Sequence, residues 1–199
     1  MASGRGSNLK SVIYSQKSKK IKSKVILVIS NNSNSGALKI ALKNKIPAFH
    51  MSEKLFKSQK EFVNELLNLL KKFKIDLIVL AGYMKMLNPE IVKKYRNRIL
   101  NIHPSILPLF CGAGMYGLKV HQAVIEYGCK VSGASVHIVD EGYDTGPIVL
   151  QRTLKVSEND TALTLQKKVL KLEHKLFPEA IRLFETKKFN LNGRKVYFT

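Results

Sequence analysis

Short apolar segments of strand length alternate along this chain with longer amphipathic segments of helix length. Residues 24–30 and 76–83 are rich in Val, Ile and Leu, as are strands that are buried on both faces. Residues 61–73 instead place their apolar side chains on one face of a helix. This order predicts an α/β fold in which a mostly parallel, doubly wound, Rossmann-like sheet carries helices on both faces.

The remaining segments continue the same alternation. Further helices are predicted at residues 36–45, 118–127 and 161–184, and further strands at 98–105, 134–139 and 147–156. Ligands of such sheets bind beyond the carboxyl ends of the strands. We therefore expect the functional site in the loops after Ser30, Ala81 and Ile102 and near residue 1. The length of 199 residues fits a single domain over residues 1–199.

The net charge of +20 is the most unusual feature of the composition. A charge of this size is compatible with a nucleic-acid partner. The lysines are spread along the chain, however, and no basic stripe is interleaved with the aromatic residues that stack on bases. We therefore favour a solvated basic surface without a nucleic-acid partner, and a polyanion-binding surface is the alternative.

The cellular setting follows from three absences in the sequence. No apolar run reaches the roughly 18 residues that a membrane-spanning helix needs, and residues 1–10 lack an apolar secretory segment. The two cysteines, Cys111 and Cys129, are too few for a disulfide scaffold. These observations predict a cytoplasmic protein with no membrane partner, and they leave a monomer and a homodimer equally open.

Residues 3–8, with the sequence SGRGSN, form a glycine-containing loop that opens a predicted helix. Glycines allow backbone N–H groups to approach an anion closely, and the free N–H groups of a helix N-terminus favour a phosphate. Ser7 or Asn8 could cap the helix. The segment alone is a weak signal, because an ordinary capped helix after a flexible start has a similar sequence.

Asn101 and His103 lie two residues apart near the end of a predicted strand, so their side chains point to the same side. An amide can donate a hydrogen bond to the oxyanion of a tetrahedral intermediate, and an imidazole can transfer the proton. Asp144 lies in the Asp-Thr-Gly-Pro loop after the next predicted strand. If its carboxylate faces His103, it raises the pKa of the imidazole; an Asx turn is the structural alternative.

The other histidines receive a structural interpretation. We expect His50, His121 and His137 to lie at the surface or to be satisfied by backbone groups. No spacing of His, Cys, Asp or Glu is typical of a metal site, so no metal is predicted.

Three motifs in this order resemble the phosphoribosylglycinamide formyltransferase family, which uses folate. They are residues 3–8, residues 101–105 (NIHPS) and residues 133–147, which include Asp144. The resemblance extends from residue 3 to about residue 191. It implies the formyltransferase fold. That family has an apolar strand before the glycine loop, whereas here only Met1 and Ala2 precede Ser3, so we expect a truncated first strand.

The resemblance implies a transfer of formyl from 10-formyltetrahydrofolate to the amine of 5-phosphoribosylglycinamide in purine biosynthesis, without a metal. It assigns catalysis to Asn101, His103 and Asp144. The implied ribonucleotide site, for phosphate and ribose, comprises Gly6, Ser7, Asn8 and Glu173. The implied folate site comprises Met84, Lys85, Met86, Leu87, Asp140, Glu141, Gly142 and Tyr143.

Two related activities remain alternatives. A tRNA formyltransferase and a formyltetrahydrofolate hydrolase would both share the three catalytic residues. The first normally has an additional carboxyl-terminal domain for RNA, and the second an additional amino-terminal domain. A basic nucleic-acid-binding protein is the alternative from a different class, and only the charge favours it.

Overall fold

A computed structural model describes residues 1–199. The helices are α1 (Ser7–Lys17), α2 (Gly36–Lys43), α3 (Gln59–Lys72), α4 (Pro89–Lys94), α5 (Leu118–Glu126) and α6 (Ala162–Thr186), with a 3-10 turn at Glu53–Leu55. The strands are β1 (Val28–Ser30), β2 (Ala48–His50), β3 (Ile78–Leu80), β4 (Ile99–His103), β5 (Val131–Ile138), β6 (Ile148–Lys155), β7 (Phe189–Asn192) and β8 (Lys195–Phe198). None of the helices combines the length and apolarity that crossing a bilayer requires.

The central strands form two groups. β1 pairs with β2 in parallel, and the second group has the order β3-β4-β5-β6, with β3 parallel to β4 and the last two pairings antiparallel. β7 and β8 form a separate antiparallel hairpin after α6. The prediction of an α/β fold with a doubly wound sheet is confirmed.

Residues 1–3 connect the two groups of strands. The Met1 amine donates to the Val79 carbonyl at 2.6 Å, and Ala81 N donates to the Met1 carbonyl at 2.8 Å. On the other side, Ala2 N donates to the Ile29 carbonyl at 3.0 Å. This alternating pattern is that of a parallel ladder. The segment therefore joins β1 to β3 and makes parallel pairing predominant across the sheet.

The apolar core lies on both faces of this sheet. On β3, Ile78 and Leu80 face a cluster that includes buried residues of α3 and α4, while Val79 packs against a cluster that includes buried residues of α1 and α6. Alternate strand residues point to opposite faces. The helices therefore cover the sheet on both sides, which leaves its carboxyl edge for the functional site.

Several strands are shorter than the sequence predicts. The apolar runs at residues 24–30 and 76–83 form strands only at Val28–Ser30 and Ile78–Leu80. The reason is that residues 1–3 are the only neighbour on one side of each strand, so the preceding residues lack a partner. The elements α4, β2 and the β7–β8 hairpin were not predicted, because short elements carry little hydrophobic periodicity.

Candidate active site

A cavity of about 420 Å³ opens at the carboxyl ends of β3 and β4, beside the start of α1. Fourteen of the fifteen predicted site residues line it: Gly6, Ser7, Asn8, Met84, Lys85, Met86, Leu87, Asn101, His103, Asp140, Gly142, Tyr143, Asp144 and Glu173. Glu141 is the exception, since it is exposed and does not line the cavity. The position of the cavity agrees with the rule for open α/β sheets.

The three residues expected to catalyse the reaction meet in this cavity. Asn101 and His103 lie on β4, where their i, i+2 spacing directs both side chains to one side. Asn101 Nδ2 donates to Asp144 Oδ1 at 3.1 Å, and His103 Nδ1 lies 3.4 Å from Asp144 Oδ2. An amide donor, an imidazole and a carboxylate separated by up to 43 residues thus form one connected group.

The backbone of Asp144 adopts a left-handed conformation with φ of 55°. This region is unfavourable for a residue with a side chain, so the surrounding loop must hold it in place. Gly112 N also donates to Asp144 Oδ2, at 3.4 Å. The conformation directs the carboxylate toward the strand residues instead of toward solvent.

His137 belongs to this group, although the sequence assigned it a structural role. It is the cross-strand partner of Asn101, and its Nε2 lies 3.0 Å from Asn101 Nδ2 and 3.3 Å from Asp144 Oδ1. Its Nδ1 lies 2.9 Å from the Ile138 carbonyl, which places the proton of the neutral ring on Nδ1. Strand alternation was the available signal, since it points His137 and Ser135 to one face.

Burial and charge act in opposite directions on His103. Burial lowers the pKa of the imidazole, while the Asp144 carboxylate and a hydrogen bond with the Phe110 carbonyl raise it. Burial is the largest effect, and the net pKa lies below its usual value. The expected contribution of Asp144 is therefore present, but it does not raise the pKa above the usual value.

For Asp144, the neighbouring groups have a larger effect on the pKa than burial has. Burial alone raises the pKa of its carboxyl, but the contact with His137, the attraction of His103 and His137 in their protonated forms, and the Gly112 N–H lower it by more. The net pKa lies below the usual value, so the group is ionised near neutral pH. A carboxylate in this position can stabilise an imidazolium on His103.

The glycine-containing loop leads directly into α1. Gly6 has φ of 78°, and a Cβ on this residue would lie 2.8 Å from the Ala37 Cα. The loop therefore needs glycine here, for both its conformation and its close approach to α2. Ser7 is the first residue of α1 and no side chain caps the helix, so the expected cap by Ser7 or Asn8 is wrong. The uncapped N–H groups remain free for an anion.

Asn8 and Glu173 form a buried pair at the cavity wall. Asn8 Nδ2 donates to Glu173 Oε2 at 2.6 Å, whereas Asn8 Oδ1 has no partner. Burial raises the pKa of the Glu173 carboxyl to about 7, even though the hydrogen bond from Asn8 lowers it. The pair therefore offers both an unused acceptor and a carboxyl that is partly protonated near neutral pH.

The segment after β3 forms another part of the cavity wall. Ser3 Oγ donates to Asn31 Oδ1 at 2.6 Å and accepts from Met84 N at 2.8 Å, which fixes this segment to the glycine loop. The side chains of Met84 and Met86 are exposed, while Leu87 is buried in the core. Such a wall suits a flat, partly apolar ligand.

His121 also lines the cavity, and the sequence did not single it out as functional. It lies on α5 with 2% exposure, and its Nδ1 has no hydrogen-bond partner. Burial and the nearby His103 lower its pKa to about 4, so the ring is neutral. No group of three or more His, Cys, Asp or Glu side chains in the structure could hold a metal ion.

The chain is similar in sequence to known formyltransferases. Residues 1–181 match the family described as formyl transferase. The chloroplastic phosphoribosylglycinamide formyltransferase of Arabidopsis thaliana is 40% identical over 90% of this chain. The phosphoribosylglycinamide formyltransferase of Bacillus subtilis is 34% identical over 91% of this chain and 90% of its own length. The chain spans only 57–62% of the length of the two plant relatives that it matches.

The chain is also similar in structure to solved enzymes that act on formyl groups. Glycinamide ribonucleotide transformylase 1 from Symbiobacterium toebii superposes with a TM-score of 0.92 at 37% identity, covering 99% of this chain and 91% of that one. A formyltetrahydrofolate deformylase from Pseudomonas syringae superposes with a TM-score of 0.89 at 26% identity, covering 64% of its own chain. With the fold, the cavity and these relatives in agreement, the chain belongs to the phosphoribosylglycinamide formyltransferase family of formyl transferases.

Proposed function

We propose that this protein transfers the formyl group of 10-formyltetrahydrofolate to the amine of 5-phosphoribosylglycinamide, a step of purine biosynthesis. One observation carries the proposal: Asn101, His103 and Asp144 meet in a cavity that also contains the free N-terminus of α1. Acyl transfer needs an oxyanion donor and a proton carrier, and a phosphorylated acceptor needs an anion site.

The ribonucleotide is held at the glycine-loop end of the cavity. Its phosphate accepts from the uncapped N–H groups at the start of α1, around Gly6, Ser7 and Asn8. The unused Oδ1 of Asn8 and the carboxyl of Glu173 are available to ribose hydroxyl groups. The phosphate and the sugar thereby fix the position of the amine.

The folate lies against Met84–Leu87 and the loop that contains Asp140, Gly142 and Tyr143. Glu141 is exposed outside the cavity, so we do not include it in the folate site. Because both substrates share one cavity, the amine and the formyl carbon are brought together before they react.

The chemistry proceeds by direct transfer. The neutral amine attacks the formyl carbon, forming a new C–N bond, and the carbonyl oxygen becomes an oxyanion that accepts from Asn101 Nδ2 in place of the contact between this group and His137 Nε2. His103 Nδ1 takes the proton that the amine loses, and Asp144 stabilises the imidazolium at 3.4 Å. When the bond to the folate nitrogen breaks, His103 returns this proton to the leaving nitrogen.

The tautomer of His103 fits this role. Its Nε2 lies 2.9 Å from the Phe110 carbonyl, so the neutral ring keeps its proton on Nε2 and leaves Nδ1 free to accept one. The lowered pKa ensures that the ring is neutral before the amine attacks. The fixed hydrogen bond to Phe110 holds the ring while the proton is exchanged.

The proposal is tested by offering three acceptors separately to the purified protein with 10-formyltetrahydrofolate. These acceptors are 5-phosphoribosylglycinamide, aminoacylated initiator tRNA and water. We expect tetrahydrofolate to form rapidly only with the ribonucleotide, and the formylated product can be identified by mass spectrometry. Formylated tRNA, or formate released at the same rate without an acceptor, would overturn the proposal in favour of a tRNA formyltransferase or a hydrolase.

A further inference from the structure

The β7–β8 hairpin is the last element of the structure and does not pair with the strands of the central sheet. It is nevertheless firmly attached to the rest of the molecule. Phe189 stacks on Phe184 of α6 with ring centroids 5.1 Å apart, and Phe198 meets Phe184 edge to face at 5.5 Å. Phe189 also packs against the main apolar core. The hairpin is therefore a fixed body against α6 and not a loose tail.

The turn of this hairpin reaches the loop that contains Asp144. Arg194 Nη2 donates to the Thr145 carbonyl at 2.6 Å, across 49 residues of sequence. The Thr145 side chain in turn donates from Oγ1 to Asp140 Oδ1 at 2.6 Å. Asp144, immediately before Thr145, holds the unfavourable φ of 55°. A hydrogen bond from a guanidinium to the next carbonyl restricts the rotation that would relax this backbone.

We propose that Arg194 is a positioning residue, which holds the loop around Asp144 so that the carboxylate stays against His103 and Asn101. This inference rests on the proposed function. Arg194 does not line the cavity, so it acts through the loop and not on the substrates. The hairpin thus supports the loop from outside the central sheet.

The consequence for catalysis follows from geometry. If Arg194 is lost, the loop relaxes and the carboxylate moves away from His103 Nδ1. Displacements of about 1 Å in a catalytic group can reduce turnover by up to about 10²-fold. Because Arg194 and Thr145 are exposed and one hydrogen bond is lost, we expect a smaller effect, with kcat reduced about 3- to 10-fold. KM for the ribonucleotide should change little, because its site, at the start of α1 and at Glu173, does not include the loop around Asp144.

The experiment compares Arg194→Ala with Lys195→Ala and Arg194→Lys. Lys195 is the next residue of the same hairpin and is exposed, so its variant removes equal charge while keeping the hydrogen bond to Thr145. We expect Arg194→Ala to reduce kcat, Lys195→Ala to leave it unchanged and Arg194→Lys to restore part of it. Equal kcat values for Arg194→Ala and Lys195→Ala would overturn the inference, as would no rescue by lysine.

A second measurement does not depend on activity. The titration of the His103 ring is followed by NMR, since Asp144 and the Phe110 carbonyl raise its pKa while burial and His137 lower it. If Arg194→Ala moves Asp144 away, the titration midpoint of His103 falls, whereas Lys195→Ala leaves it in place. A midpoint unchanged by Arg194→Ala would refute the positioning role. Absence of formyl transfer by the unmodified protein would instead refute only the proposed function.

Discussion

At the scale of single residues, burial and charge have opposite effects on the pKa of the His103 imidazole. Burial alone would leave a neutral ring with little tendency to accept a proton, and the Asp144 carboxylate partly offsets this. The net pKa lies below the usual 6.5, so the ring is neutral at neutral pH. A base that is unprotonated before the reaction, and whose protonated form is stabilised, suits the proposed proton transfer.

We therefore expect His103→Ala and Asp144→Asn each to reduce kcat, by about 10²- to 10⁴-fold for the histidine variant, because the proton carrier is lost. Asp144→Asn should also move the acidic limb of the kcat/KM profile to lower pH, since the carboxylate raises the pKa of His103. Steady-state rates between pH 5 and 8 measure both effects. Turnover near the unmodified rate in either variant, with folding unchanged by circular dichroism, would contradict the assigned roles.

Glu173 predicts a pH dependence of stability. Its folded pKa of about 7 lies above the usual 4.5, so the folded state binds more protons than the unfolded state between these values. The free energy of unfolding should therefore fall as pH rises from 4.5 through about 7. The shift corresponds to a loss of at most about 3 kcal/mol above pH 7. Urea unfolding of Glu173→Gln and the unmodified protein at pH 5 and pH 8 measures this effect.

The free energy of unfolding of Glu173→Gln should exceed that of the unmodified protein by more at pH 8 than at pH 5. Glu158→Gln provides the control, because Glu158 is exposed and its side chain forms no hydrogen bond or ion pair. The comparison between variants removes the contributions of all other titrating groups, because the three proteins share them. A margin that is the same at both pH values would show that Glu173 is already ionised in the folded protein.

At the scale of elements, the structure at the start of α1 depends more on Gly6 than on Gly4. Gly6→Ala introduces a Cβ 2.8 Å from the Ala37 Cα at a positive φ, whereas a Cβ on Gly4 meets nothing within 4 Å. We expect Gly6→Ala to destabilise the protein by about 1–3 kcal/mol and Gly4→Ala by less than about 0.5 kcal/mol. Thermal unfolding of the two variants measures the difference, and equal melting temperatures would contradict the tight contact between α1 and α2.

The long helices α3 and α6 show how much of the fold the sequence could predict. The helices at Gln59–Lys72 and Ala162–Thr186 were predicted within two residues of their ends, because their apolar periodicity is long and regular. The convergence of Asn101 and His103 followed from their spacing along one strand. The backbone partner expected for His137 is present at its Nδ1, but its contacts with Asn101 and Asp144 were not predicted, because they depend on the register that pairs it with Asn101. Arg194 was not singled out, because a long-range contact leaves no local pattern.

At the scale of the whole molecule, the sheet contains an internal gap. A cavity of about 220 Å³ lies between the residues leading into β1 and those leading into β3, lined mainly by hydrophobic side chains. Leu27 and Leu77 both line it, and neither uses its backbone N–H in a hydrogen bond. The Met1 amine lies at the end of this gap, and burial lowers its pKa to about 5. Unpaired peptide groups and a desolvated amine both reduce stability.

An apolar extension ahead of Met1 should therefore stabilise the fold. Four residues such as Val-Val-Leu-Val would continue the parallel ladder of residues 1–3, fill the cavity and replace the buried amine by a peptide N–H, which can still donate to the Val79 carbonyl. We expect the melting temperature to rise by roughly 5 °C or more, corresponding to at least about 1–2 kcal/mol. A Gly-Ser-Asn-Ser extension of equal length is the control, because it removes the amine without filling the apolar space. Because the folded amine has a depressed pKa, the 199-residue chain that begins at Met1 should lose stability as pH falls from 8 to 5, and both extensions should abolish this component. If the apolar and polar extensions raise the melting temperature equally, filling the gap contributes nothing and only the desolvated amine matters.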